Sequence, residues 1–257
     1  MGKIYTSKPP LGSQINWGHP LSRGLVGAWL MNEGGGKIAT NIGAVGMSGN
    51  LALSSTATFG VKNGVSGLLN DVAKVTIASN LKLNLPITMV WKGYIISRPA
   101  NYAVFGVNYN SNSDNPYECY CLRFNDSGNW GVSGNSGGSF IQVNTASTVG
   151  TSAGKLFMAG IFGATYQALY LNNLLAVSAT NSFSNPTYTA TSFMTVGDGN
   201  RVATELFYVF NRQLSPSEIQ SLYVSPYQMI SRPSQKSYNI ISGAVTGSPQ
   251  LMTLGVG

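Results

Sequence analysis

The stretch 205–223, Glu-Leu-Phe-Tyr-Val-Phe-Asn-Arg-Gln-Leu-Ser-Pro-Ser-Glu-Ile-Gln-Ser-Leu-Tyr, constrains the fold more than any other part of the chain. Its apolar run 206–210 is rich in aromatic residues, which suits a strand, and it stops at Asn211-Arg212. A helix start follows. Ser215 is placed as N-cap, Pro216 as first helical residue and Glu218 as the carboxylate that completes a capping box. Ile219, Leu222 and Tyr223 then fall at i, i+3 and i+4, which gives one apolar face to lay against a sheet.

Upstream, short apolar runs alternate with Gly, Asn, Ser and Pro at the rhythm of an antiparallel sandwich. The pattern predicts strands at 25–31, 72–78, 87–96, 103–109, 118–124, 140–143, 156–162, 168–171, 174–177 and 205–210, and one helix over 216–224. Long Asn/Gly/Ser-rich loops are expected at 108–117, 125–139 and 180–191. In strand 118–124 the even positions Glu118, Tyr120, Leu122 and Phe124 share the more apolar face, expected to be the core side, opposite Cys119, Cys121 and Arg123. The two cysteines, two residues apart on a strand, sit about 7 Å apart, too far for an unstrained disulfide. Free thiols fit assembly in a reducing compartment.

Residues 1–23 read as a Pro-rich extended arm, 24–225 as one β domain, and 226–257 as a tail with apolar residues but no core of its own. Charged residues make up only 9% of the chain, well below the quarter to a third usual for a free soluble surface. Such a surface suits either an assembly or a plain polar β protein. The net charge of +7 is scattered singly, without basic runs interleaved with aromatics, so no nucleic-acid partner is expected. No apolar h-region opens the chain and no eighteen-residue apolar stretch occurs, so neither a signal peptide nor a membrane span is expected.

Three ordered motifs resemble the laminin G-like, concanavalin A-like jelly-roll domains: Gly24-Leu-Val-Gly-Ala-Trp-Leu-Met-Asn-Glu-Gly-Gly-Gly36, the hairpin Thr165–Ser178 with Asn172-Asn173 at its turn, and the closing strand and helix. The resemblance implies an all-β sandwich with one short C-terminal helix. It does not imply a chemistry, because that fold carries lectins, glycosidases and virion proteins alike. The leader from Pro9 to Leu25 is further similar to that of laminin G-like proteins encoded by tailed phages.

The chain has eight acidic residues, and none of their spacings matches the paired carboxylates of a glycoside hydrolase. A His-dependent triad would have to recruit His19, the only histidine, from the arm. No enzyme is expected. Glu33 and Glu205 match the acidic positions of the family's opening and closing strands. Two readings stand for them: carboxylates accepting N–H bonds from the turn 34–36, or ligands of a calcium ion, the one cofactor the resemblance suggests. Trp130, Tyr109 and Tyr117, in or beside the long loops, are the candidate stacking platforms for a sugar.

The preferred reading is a non-enzymatic virion structural protein of a bacteriophage, a capsid decoration or other surface component, forming a homo-oligomer and contacting capsid proteins through its arms. Ile15, Trp17 and Leu21 anchor the first arm in this reading, and Tyr238, Ile240, Ile241 and Leu251 the tail. The alternative is a carbohydrate-binding, lectin-like module or a receptor-binding fibre component with glycan partners.

Overall fold

The computed structural model describes residues 7–70, 73–76, 83–97, 103–109, 119–124, 128–136, 139–145, 154–181, 183–185, 188, 193–197 and 201–231. The chain enters through β1 (Gln14–Ile15), a 3-10 turn at Pro20–Ser22 and β2 (Leu25–Trp29). Short strands follow: β3 (Ile38–Ala39), β4 (Leu51–Leu53), the hairpin β5 (Thr58–Lys62) and β6 (Val65–Leu69), and β7 (Ala73–Thr76). Next come β8 (Ile87–Ile95), β9 (Ala103–Tyr109), β10 (Cys119–Phe124), β11 (Trp130–Ser136), β12 (Ser139–Asn144), β13 (Gly154–Phe162), β14 (Gln167–Leu171), β15 (Leu174–Ala179), β16 (Phe193–Val196) and β17 (Val202–Phe210). Helix α1 (Pro216–Val224) and β18 (Ile230–Ser231) complete the order.

Two antiparallel sheets stack face to face, as the motifs implied. The inner sheet runs β15-β14-β13-β8-β17-β6-β5, with β2 also paired to β17. The outer sheet runs β12-β11-β10-β9-β16-β7-β4-β3. Strand β17 pairs with β8 along its length; its other edge is shared, Thr204 facing Leu68 of β6 and Phe207 facing Trp29 of β2. A side chain at Gly67 would place its Cβ 1.9 Å from the Thr204 carbonyl oxygen, so β6 reaches β17 only because that residue is glycine. The turn at Asn172-Asn173 holds φ of 47° and 69°, both left-handed, as a type I′ hairpin requires.

The central strands β8, β13, β14 and β17 of the inner sheet are buried on both faces, while its edges β5 and β15 are largely exposed. Between the sheets pack Trp29, Trp91, Tyr120, Phe124, Trp130, Phe162 and Phe207. The far face of the inner sheet carries Leu25, Val90, Phe157, Ile161, Leu206, Tyr208 and Phe210. Helix α1 covers that face with Ile219 and Leu222, together with Ile15 and Leu21 from the N-terminal segment and Tyr227, Met229 and Ile230 from the C-terminal one. This is why 206–210 reads as continuous rather than alternating apolar sequence: a strand covered on both sides has no polar face to show. The N-cap box forms as expected, Ser215 Oγ accepting from Glu218 N and Glu218 Oε2 accepting from Ser215 N.

Three expectations change. The segment 1–23 is, from Lys8 onward, part of this packing: Ile15 and Leu21 are buried among the chain's own residues and cannot anchor it to another protein. Segment 125–139, read as a loop, contains all of β11, whose alternation points Trp130 and Val132 into the core. Trp130 is therefore 0% exposed, edge-on to Phe124 at 4.9 Å, and offers no face to a sugar.

Candidate functional site

With Trp130 in the core, the exposed aromatic surface of the N-terminal segment stands out. Trp17 is 55% exposed although its neighbours Ile15 and Leu21 are buried. Local geometry forces this. Ile15 belongs to β1, which pairs with β18, and Asn16 N donates to Met229 O at 2.8 Å. Past Trp17 the chain turns tightly: Gly18 N donates to Asn16 Oδ1 and His19 N to Asn16 O. His19 Nδ1 then caps the 3-10 turn by accepting from Leu21 N. Ser22 Oγ is within hydrogen-bonding reach of both the Trp17 and His19 carbonyls. A turn tied at each step fixes the backbone that carries the indole outward.

Trp17 forms the wall between two surface depressions. The larger, ≈ 1060 Å³, is lined by Trp17, His19, Arg23, Gly24, Asn211 and Arg212, among others. The smaller, ≈ 600 Å³, runs from Trp17 past Gln14 to Asn41 and Gly43. Within the larger one, the two arginines differ. Arg212 is fully engaged: its Nε donates to Arg23 O, and its terminal nitrogens form a two-pronged pair with Glu218. The Arg212 hydrogen bond is the main reason the Glu218 carboxyl sits below the ordinary carboxylate range. Arg23 is exposed, and its guanidinium makes no hydrogen bond or ion pair with the described residues. His19, using Nδ1 as acceptor, carries its proton on Nε2. The depression thus offers an aromatic face, an uncompensated guanidinium and neutral donors, a set suited to a polar ligand with apolar ring faces.

Glu33 and Glu205 lie at a different place, and their surroundings are cationic. Lys92 Nζ donates to Glu205 Oε1, which also accepts from Tyr227 Oη at 2.5 Å. Glu33 Oε1 accepts from Thr40 N at 2.6 Å, whereas the turn 34–36 was the expected donor. Between these acids the half-buried Lys8 donates to the carbonyls of Met31 and Ser66, and feels both carboxylates. Burial nevertheless lowers Lys8 from its ordinary 10.5 to about 8. Glu33 uses one oxygen only, its Oε2 being buried without a hydrogen-bond partner among the described residues, and two carboxylates beside two ammonium groups supply fewer oxygens than the six to eight a calcium ion takes. Among the described residues no group of three or more His, Cys, Asp or Glu is placed to hold a metal. The two carboxylates serve as hydrogen-bond and ion-pair acceptors, the first of the two readings, in a charge cluster where Lys8 fastens the N-terminal segment to the sandwich.

Tyr109 closes β9, but its side chain lies outside the described residues, as do Tyr117, Tyr238, Ile240, Ile241 and Leu251. Cys121 is buried, its Sγ 2.8 Å from Ser133 Oγ. No helix among the described residues is long and apolar enough to cross a membrane.

No protein-family model matches the chain, and no curated protein matches its sequence. Solved structures do match its fold. The binding domain of Paraclostridial Mosquitocidal Protein 1 is 14% identical at a TM-score of 0.57, over 79% of this chain and 52% of that one. A botulinum neurotoxin type C structure, titled for cell entry dependent on two ganglioside molecules, is 10% identical at 0.58, over 79% and 51%. Trypanosoma rangeli sialidase in complex with sialic acid is 14% identical at 0.52, over 79% and 33%. This chain thus spans between a third and about half of the length of these three structures. The likeness establishes the class: an all-β sandwich of the concanavalin-like jelly-roll kind.

Proposed function

We propose that this protein is a non-enzymatic glycan-binding module that uses Trp17 as its stacking platform. The carrying observation is the 55% exposure of Trp17 on a turn clamped by the core on both sides. Among the described residues the Trp17 indole makes no hydrogen bond or ring contact, and its flat apolar face complements the C–H face of a pyranose ring. The fold neighbours support a binding role: one is described as a binding domain and another by its ganglioside interaction, though each is a different protein. For the setting, we carry the surface of a virion as the reading of the leader's resemblance to phage proteins, where such a module would recognise a host surface.

The test is a glycan array probed with the whole chain and with Trp17→Ala. Binding that falls at least tenfold in the variant, with an unchanged melting temperature, is the expected result. An array without hits, or hits that Trp17→Ala leaves intact, sinks the reading.

A further inference from the structure

We infer that the saccharide this site takes is anionic, with its acid group on Arg23 and a ring face on Trp17. The inference rests on the reading of the Trp17 depression as a sugar site and names the chemical class of its ligand. Three observations carry it. First, Arg23 and Trp17 line the same depression, on either side of a 3-10 turn whose backbone is fixed by the His19 cap and by Arg212 Nε donating to Arg23 O. Second, the other charges there cancel: Arg212 and Glu218 form a two-pronged ion pair, so neither is free for a ligand. Among the described residues that line the depression, Arg23 is left as the one charge without a counter-charge, and its guanidinium fork matches a carboxylate or sulfate with two parallel hydrogen bonds. Third, the chain as a whole is basic, at +7, which raises the local concentration of anions around it without choosing among them. His19 Nε2–H and the Asn211 side chain are the neutral donors for hydroxyls of the same ligand.

A neutral sugar would leave Arg23 merely solvated, and selectivity would come from the ring alone. With an acidic sugar, discrimination comes from the guanidinium, because the neutral analogue forfeits a charge-assisted bidentate contact.

The experiment compares the intact chain with Arg23→Gln, Arg23→Lys and Lys62→Gln on an array holding neutral, sialylated, uronate-bearing and sulfated glycans, followed by calorimetric titration of the best acidic hit and its neutral parent. Lys62, exposed on edge strand β5 and outside the depression, changes the net charge by the same amount as Arg23→Gln. The expected result is hits confined to acidic glycans, at least tenfold weaker in Arg23→Gln and unchanged in Lys62→Gln. Arg23→Lys should recover only part of the loss, since an ammonium keeps the charge but not the fork. Whether carboxylate or sulfate glycans dominate identifies the anion, and either supports the inference. Trp17-dependent hits on neutral glycans that Arg23→Gln does not weaken would overturn it while leaving the sugar-binding reading in place. No hits at all would remove both.

Discussion

At the scale of single residues, Lys8 has the most testable environment. Burial lowers its value to about 8, outweighing Glu205 and Glu33, which favour the charge, while Lys92 adds to the lowering. The unfolded chain holds that proton up to about 10.5, so between the two values the unfolded state binds more protons than the folded one. The Lys8 contribution to stability therefore rises as pH climbs through that window and is smallest below it. Urea titrations of the native chain and Lys8→Met at pH 7.5, 9 and 10 should show their difference shifting in favour of the native chain with pH. A difference that stays flat would mean the ammonium is solvated and the N-terminal segment is held by other contacts. Trp17 is the opposite case, a large side chain whose removal should leave stability within about 0.5 kcal/mol because it is exposed.

At the scale of elements, α1 was the most legible part of the chain and β11 the least. The capping box, the Pro216 start and the apolar spacing fixed α1 to the residue, and the same contacts predict its sensitivity. Ser215→Ala should cost about 1 kcal/mol in chemical unfolding. Glu218, held low chiefly by Arg212, contributes stability that is present above the ordinary carboxylate range and lost as pH falls through its lowered value. Glu218→Gln should accordingly flatten the acid limb of the stability profile, and an unchanged limb would count against the ion pair. Strand β11 was hidden by composition: Trp-Gly-Val-Ser-Gly-Asn-Ser has the residues of a loop, and only the alternation of Trp130 and Val132 reports a buried face. Gly134 is there because the Phe183 ring lies within 2.8 Å of where its Cβ would be, a long-range contact no local pattern encodes. The β5–β6 hairpin, by contrast, carried a readable signal in Asn63-Gly64, whose φ values of 49° and 73° make a two-residue turn of the type I′ kind. The site divides in the same way. A Trp in an Asn-Trp-Gly-His-Pro turn, between two inward aliphatics, was visible as an aromatic in the sequence, but its outward direction follows from β1 pairing with β18 across the whole chain.

For the molecule as a whole, that pairing changes what the N-terminal segment does. Gln14 and Ile15 align with Ser231 and Ile230, so the two ends of the described chain close over the far face of the inner sheet. An arm made for docking elsewhere could be removed without harm to the sandwich. A lid on the chain's own core could not. Deleting residues 1–22 takes away Ile15 and Leu21, each contributing roughly 1.5–3 kcal/mol by burial, and breaks the Lys8 contacts to Met31 and Ser66. It also uncovers part of the apolar face that includes Leu25, Tyr208 and Phe210. The truncated protein should lose several kcal/mol, bind a hydrophobic dye that the full chain does not, and melt well below it. Ile15→Ala with Leu21→Ala, which keeps the backbone and Lys8 in place, should reproduce most of that fall in melting temperature while leaving the Trp17 turn present. A truncated chain that melts with the full-length one would return the segment to the role of a free arm. Loss of stability in both variants makes it the cover of the fold and the support that holds the candidate sugar platform in water.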